Sequence, residues 1–308
     1  MKSLLLVSTV VLIFMISCET TPHVEIVDLK PQTKTASNHF VMPTVPDEII
    51  FAGEQIPLED LDIKERLDKE LVINNFWHSN TMLTMKRANR WLPRMKAIFE
   101  AESVPEDLVY IGVIESGLQN VTSPRGAKGF WQFMEATARE YKLTVNSQID
   151  ERYHVEKSTL AACKYLKKAY QKFGSWILAA ASYNLGVYGI TDNLERQKVD
   201  NYFDLSLNPE TARYIFRILA VKMVFENPSD YGFYLDSESL YPPYKTKEVV
   251  IDSTISNLYE WSVENGISMK ILRKLNPWIR SRDFKVKNNE SFIFKIPDGN
   301  EQLGLFRG

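Results

Sequence analysis

A single carboxylate stands out at Ile114-Glu115-Ser116-Gly117. A glycine-rich run follows it, Ser123-Pro124-Arg125-Gly126-Ala127-Lys128-Gly129-Phe130-Trp131-Gln132-Phe133-Met134. Pro105 suits the first turn of a helix, where its missing N–H needs no partner. Glu106 and Asp107 favour that positive end, and Gly117 suits the exit. At about 100° per residue Glu115 projects between Leu108 and Ile111. Beyond its first turn the helix is apolar nearly all round, which predicts burial. A carboxylate carried on such a helix loses hydration, its pKa rises, and it can donate a proton near neutral pH. The plainer reading is a structural Glu paired with a buried Arg or bonded to a helix end. Gly126 and Gly129 favour the chemical one, because glycine lets backbone approach a ligand closely.

The elements that must position this carboxylate read as helices. The chain has 308 residues and a formal net charge of −2, enough for one sizeable domain and a small one, with no basic stripe for nucleic acid. The spacing predicts helices over Arg66 to Phe76, Thr81 to Trp91, and from Leu92-Pro93-Arg94 towards Glu100. Beyond the Glu115 helix, Phe130 to Tyr141 reads as helical, and Ser158 as the cap of a helix ending at Gly174. Ser175 opens Trp176 to Tyr183, and Asn208-Pro209 opens a helix running to Asn227-Pro228. Tyr241-Pro242-Pro243 marks a boundary. Glu248 to Ile251, Ser256 to Glu264, Ser268 to Leu275 and Ser291 to Ile296 then read as a βααβ unit, small enough to need a neighbour to pack on.

The start of the chain reads as an address. Lys2 precedes an apolar run, Leu4 to Ile16, that is too short to span a bilayer permanently. Residues 1–17 therefore read as a signal peptide ending at Ser17-Cys18, a pattern resembling a bacterial lipobox, with Cys18 as the lipidated residue. Glu19 lacks the Asp character that holds some lipoproteins in the inner membrane. The expectation is a lipid-anchored protein of the cell envelope, on the periplasmic face of the outer membrane. Residues 18–57, with Pro22, Pro31, Pro43, Pro46 and Pro57, read as a flexible tether. If Cys18 carries lipid, Cys163, the second of the two Cys, has no partner within the chain and is a small core residue. The four His show no ligand spacing, so no metal site or cofactor is expected.

Four ordered motifs resemble the lytic murein transglycosylases of the lysozyme-like superfamily, membrane-bound D type. They are Glu115-Ser116 with Gly126 to Met134; Asp150-Glu151-Arg152 with Ser158 to Ala162; Ser182-Tyr183-Asn184-Leu185-Gly186; and Glu210-Thr211-Ala212-Arg213-Tyr214. The resemblance implies a mainly α fold: a lysozyme-like helical catalytic domain over 58–238 and a small βααβ LysM-like module over 246–298. It implies one catalytic Glu, Glu115, in a groove lined by Ser123, Gln132, Met134, Tyr183, Asn184, Glu210 and Tyr214. Phe130, Trp131 and Phe133 are expected in the core. Leu185 replaces a small residue and is expected to narrow the groove. Asp252-Ser253-Thr254 departs from the usual LysM opening, while Leu275-Asn276-Pro277 is kept.

The partner so implied is the glycan strand of peptidoglycan. The reaction would cleave the β-1,4 bond between MurNAc and GlcNAc, leave 1,6-anhydro-MurNAc ends, and use Glu115 as acid and then base. Two alternatives stand beside it: a hydrolytic muramidase using Glu210 or Glu151 to activate water, and a glycan-binding lipoprotein without chemistry. Because the groove falls in the helical domain, truncation near Tyr241 is expected to leave a folded, active protein.

Overall fold

The computed structural model describes residues 41–299; the signal peptide and Cys18 lie outside them. The helical part starts with a short antiparallel hairpin, β1 (Ile50–Phe51) and β2 (Glu54–Gln55). It continues with α1 (Leu61–Phe76), α2 (His78–Ala101), a 3-10 turn (Glu106–Val109), α3 (Tyr110–Ser116) and α4 (Glu135–Glu140). Then come α5 (Val155–Phe173), α6 (Trp176–Leu185), α7 (Val187–Gln197) and α8 (Pro209–Glu226). Among the described residues no helix is long and apolar enough to cross a membrane.

α3 is the short central element. Tyr110, Ile111, Gly112 and Val113 are buried, and it packs on α8, which also packs on α1 and α6. Its end is defined by Gly117 in the left-handed region at φ 58°, with the N–H returned to the Val113 carbonyl at 2.8 Å. Arg87 Nε donates to the Gly117 carbonyl at 2.6 Å, fixing that exit from α2. Asn208 accepts from the N–H groups of Glu210 and Thr211, with Pro209 in the first turn, so α8 begins where the sequence places it. Ser175 likewise caps α6.

Four expectations change. Pro93 lies inside α2 and opens no helix. Losing one backbone bond there costs about 3 kcal/mol. Buried Leu92, Met95 and Phe99 on both sides of it outweigh that at about 1.5–3 kcal/mol each. Phe130 to Met134 is not helical: Lys128 bridges Phe133, Gln132 takes φ 47°, and the carbonyls of Phe130, Trp131 and Phe133 are held by Ser116, Tyr183 and Arg152. Tertiary hydrogen bonds replace the helical ones. Ser158 is not a cap. It is fully buried and bonds the Val155 carbonyl, while His154 Nδ1 accepts from the Lys157 N–H at 3.5 Å.

The fourth change concerns the expected tether, which does not extend to residue 57. Ile49, Phe51 and Ile56 are in the helical core. The Glu54 carboxylate accepts from Ser175 Oγ at 2.7 Å and from the Trp176 N–H, covering the start of α6. Cys163 is buried among this core, as its helical face suggests, and burial pushes its thiol up to about 12.

The C-terminal unit is βααβ: β3 (Thr246–Ile251), α9 (Leu258–Glu264), α10 (Met269–Leu275) and β4 (Phe292–Pro297). β3 and β4 pair antiparallel in the register Thr246↔Pro297 to Ile251↔Phe292. Fully buried Asn276 clasps β4, exchanging bonds with Lys295 N–H and C=O at 2.8 and 2.7 Å. The unit does need a neighbour. Its core cluster of Leu258, Leu272, Trp278, Phe284 and Phe294 also takes in Ile149 and Tyr153 from the helical part. Ile149 bridges Ile279, and Asp150 N–H donates to the Trp278 carbonyl at 2.8 Å. Arg280 N–H donates to the Gln148 carbonyl at 2.8 Å, and His154 stacks on Trp278 at 5.8 Å. Truncation at Tyr241 would strip the cover from Ile149 and Tyr153, against the expectation of an independent helical domain.

Candidate active site

Glu115 sits on the last turn of α3, where the helix meets a cleft of about 660 Å³. Its neighbours there include Glu70, Trp77, Val121, Glu210, Arg213 and Arg217. The Tyr214 hydroxyl donates to Glu115 Oε1 at 2.6 Å. Burial raises the Glu115 pKa above the ordinary carboxylate value. The Tyr214 hydrogen bond and the Arg217 charge oppose that rise, and the Glu210 charge adds to it. Arg217 Nη2 donates to the Ile114 carbonyl at 3.0 Å and acts on the carboxyl through its charge. The carboxyl thus meets a cleft with its pKa raised by burial and with a phenol, not an Arg, as its hydrogen-bond donor.

Tyr183 and Tyr214 both have pKa values raised well above normal, first by burial and then by the Glu115 charge. Each therefore keeps its proton as a donor. Tyr214 uses it on Glu115. Tyr183 donates to the Trp131 carbonyl at 2.8 Å and packs on the rings of Trp131 and Phe133. Asn184 Nδ2 donates to Glu210 Oε1 at 3.3 Å, and its Oδ1 accepts from Thr211 at 2.7 Å. The structure thus brings Tyr183, Asn184, Glu210 and Tyr214 into one constellation with Glu115. Leu185 packs over Gly189 of α7, which turns its bulk towards that helix instead of narrowing the groove.

The loop after α3 forms the adjoining wall. Ser123 Oγ accepts from the Ala127 N–H at 3.0 Å, and Gln132 Nε2 donates to the Gly129 and Val121 carbonyls at 2.7 and 3.3 Å. Val121 lines the cleft, so Ser123 and Gln132 stand next to it while shaping their own turn. Met134 is exposed and precedes α4; no contact recorded for it reaches Glu115. Phe130, Trp131 and Phe133 are in the core. Trp131 Nε1 donates to Thr159 at 2.9 Å, and its ring stacks on Phe99 at 5.7 Å.

What holds this loop is the segment that receives the C-terminal unit. Gly129 has φ 79°, and a Cβ there would lie 1.9 Å from the Arg152 carbonyl, so glycine is required. Arg152 is buried, bonds Asp150 twice at 2.8 Å, and reaches the Gly126 and Phe133 carbonyls at 3.3 and 3.4 Å. Tyr153 and Thr122 share a hydroxyl hydrogen bond at 2.8 Å. The Asp150-Glu151-Arg152 motif is thus a loop ion pair with a scaffold role. Glu151 accepts from the Thr144 N–H at 2.7 Å and from Lys157, and it lines a different cleft. That removes it as a water-activating partner of Glu115.

Sequence reading missed Glu70, Arg213 and Arg217. Glu70 is buried at 2% exposure and bonds Arg213 at 2.5 and 3.0 Å on the cleft wall. A signal was present: Arg213 and Arg217 lie one turn apart beside Tyr214 on an otherwise apolar helix.

The fold and site define a lysozyme-like helical domain with a desolvated carboxyl in a cleft, and a small βααβ module packed against its 149–153 segment. Residues 95–205 match the transglycosylase SLT domain family, and residues 247–300 match the soluble lytic transglycosylase C-terminal LysM-like domain family. The chain is homologous to membrane-bound lytic murein transglycosylase D of Escherichia coli strain K12, at 29% identity over 191 residues. The same protein of E. coli O6:H1 strain CFT073 matches equally. The matches take in 59% of this chain and 41% of each relative, so the chain spans about two fifths of the length of these relatives. Glu210 and Tyr214 lie beyond the SLT match, which ends at residue 205.

Proposed function

We propose that this protein is a peptidoglycan lytic transglycosylase acting on the MurNAc-β-1,4-GlcNAc bond, with Glu115 as its one catalytic carboxyl. The observation that carries this is the desolvated Glu115, lining an open cleft and bonded by the Tyr214 hydroxyl. Protonated Glu115 donates to the glycosidic oxygen as the bond to C1 breaks. The N-acetyl carbonyl of MurNAc assists at C1, the substrate-assisted route that needs no second carboxylate. Ionised Glu115 then takes the proton from the C6 hydroxyl of the same MurNAc. That oxygen closes on C1 and leaves a 1,6-anhydro end without water. Tyr214 orients the carboxyl and stabilises its ionised form between the two steps. Ser123 and Gln132 hold the N-acetyl group and the reacting sugar; Tyr183 and Asn184 flank the carboxyl.

Glu210 supports a second reading. It is a carboxylate on the same cleft, exposed and electrostatically coupled to Glu115, where a hydrolase would keep its water-activating base. Digestion of sacculi with the Glu210→Gln variant separates the two readings. The transglycosylase keeps forming anhydro ends, whereas a hydrolase would lose turnover as completely as with Glu115→Gln.

The address remains as the sequence implies. We infer a cell-envelope protein, lipidated at Cys18 and held at the outer membrane. The membrane-bound name of the E. coli relative supports the envelope assignment. Cys18→Ala should release the mature protein from membrane pellets, and an unmodified Cys18 in a soluble wild-type protein would refute the anchor.

A further inference from the structure

Trp77 is the residue at which α1 stops and α2 begins. Its backbone leaves the helical region at ψ 45°, yet its N–H bonds the Ile73 carbonyl and its carbonyl accepts from the Thr81 N–H. The two helices therefore meet in a fixed elbow. Thr81 and Thr84 spend their hydroxyls on the carbonyls of Asn74 and Asn80, which stiffens it further. The indole at the apex is 62% exposed.

A large apolar ring displayed on a rigid corner costs solvation and gains nothing in the core. Its position gives it a use. Glu70, Asn74 and Trp77 share one face of α1, and all three line the cleft that holds Glu115. From Glu70, at the α8 wall, to Trp77 the helix rise covers about 10 Å. Trp77 thus lines the same cleft about 10 Å along α1 from the Glu70–Arg213 pair. Asn80 and Gln119 bring amides to the same cleft, and Val121 faces it from the other wall.

This arrangement suits a pyranose ring. One face of such a ring is a patch of C–H groups that lies flat on an aromatic surface, and its rim of hydroxyls and acetamido groups bonds to amides. We propose that Trp77 is a sugar platform, taking a ring of the bound glycan strand removed from the bond cleaved at Glu115. The proposal rests on the glycan-cleaving reading above and adds where the strand runs beyond the reacting sugars: along the α1–α2 elbow. Trp77 touches substrate without touching the reacting atoms, so its contribution is to affinity and to the length of strand preferred.

The test measures kcat and KM of the full chain on purified uncrosslinked glycan strands of graded length, for wild type, Trp77→Ala and Trp77→Phe. The side chain is exposed, so neither variant should move the thermal midpoint. On long strands Trp77→Ala should raise KM by about tenfold with kcat within twofold, and Trp77→Phe should recover most of that loss. On fragments too short to reach the elbow, all three proteins should match. A Trp77→Ala KM equal to wild type at every length overturns the platform and leaves the Glu115 reading standing. Wild type that neither cleaves nor binds any strand overturns both.

Discussion

Two clefts among the described residues treat their carboxylates differently, and the smaller is the one we propose as the site of the chemistry. The larger, about 1490 Å³, lies between the 144–157 segment and the C-terminal unit. Its buried carboxylates are neutralised. Glu156 meets Arg94 at 2.7 Å, His154 at 3.1 Å and Lys295 at 2.5 Å, and these groups hold its pKa far below the carboxylate range despite burial. Glu151 is held by Lys157. In the smaller cleft Glu115 has a phenol where Glu156 has Arg94 and Lys295, and its pKa moves the opposite way. Both carboxylates are desolvated, so desolvation does not by itself make an acid. What decides is whether the fold supplies a full countercharge. Where it does, the pKa falls and the group is structural glue; where it supplies a hydrogen bond and a more distant Arg, burial wins and the pKa rises.

The sharpest way to break this contrast is Glu115→Gln. It should cost at least the 10²–10⁴-fold typical of one proton-transfer step, because the same group serves twice. The folded protein should lose nothing. A carboxyl with a raised folded pKa binds its proton more tightly in the native state, so its favourable contribution holds below the unfolded carboxylate pKa. That contribution is lost as pH rises from there through the folded pKa. Glu115→Gln should therefore equal or exceed wild-type stability at neutral pH. Glu156 behaves with the opposite sign: its contribution is present above the unfolded pKa and is lost as pH falls below it. Urea melts of wild type, Glu115→Gln and Glu156→Gln against pH check the two signs together.

The next largest effect tests the link between the clefts. Arg152→Met removes both loop contacts and leaves buried Asp150 with only the Lys128 amine at 3.5 Å, which should cost about 3–5 kcal/mol. Turnover should also fall, because the 121–134 wall loses its support. Unchanged stability would show that the C-terminal unit and the site are not coupled through this segment. Trp278→Ala, on the far side of the same contact, should cost about 3–5 kcal/mol by chemical denaturation.

Tyr214→Phe is smaller and more specific. Its hydrogen bond lowers the Glu115 pKa, so removing it should move the alkaline limb of kcat/KM to higher pH. Glu210→Gln removes a like charge and should move that limb to lower pH. Matching shifts in both variants would mean that neither group sets the acid.

Much of this contrast was legible in the sequence, and the remainder was not for identifiable reasons. Glu115 between apolar turns, Ser175 and Asn208-Pro209 as helix starts, and the βααβ order all rest on local signals, and local signals survive in one dimension. The Phe130 to Met134 segment carries helix-compatible residues, but its carbonyls belong to Ser116, Tyr183 and Arg152, which are distant in the chain. The hairpin at Ile50–Gln55 is too short for a periodic pattern and sits among prolines that suggest a tether. α7 follows α6 after Gly186 with no spacer, and was passed over. Glu70 and Arg213 lie far apart in sequence, so their pairing on the cleft wall needed the fold.

The central claim is that Glu115 works without a water-activating partner, and one measurement meets it directly. Sacculi are digested with the wild-type protein in heavy-oxygen water and the new MurNAc ends are analysed by mass spectrometry. The account predicts anhydro ends free of label, because the internal C6 hydroxyl replaces water. Reducing MurNAc ends carrying the heavy oxygen would contradict it and move the protein to the hydrolases.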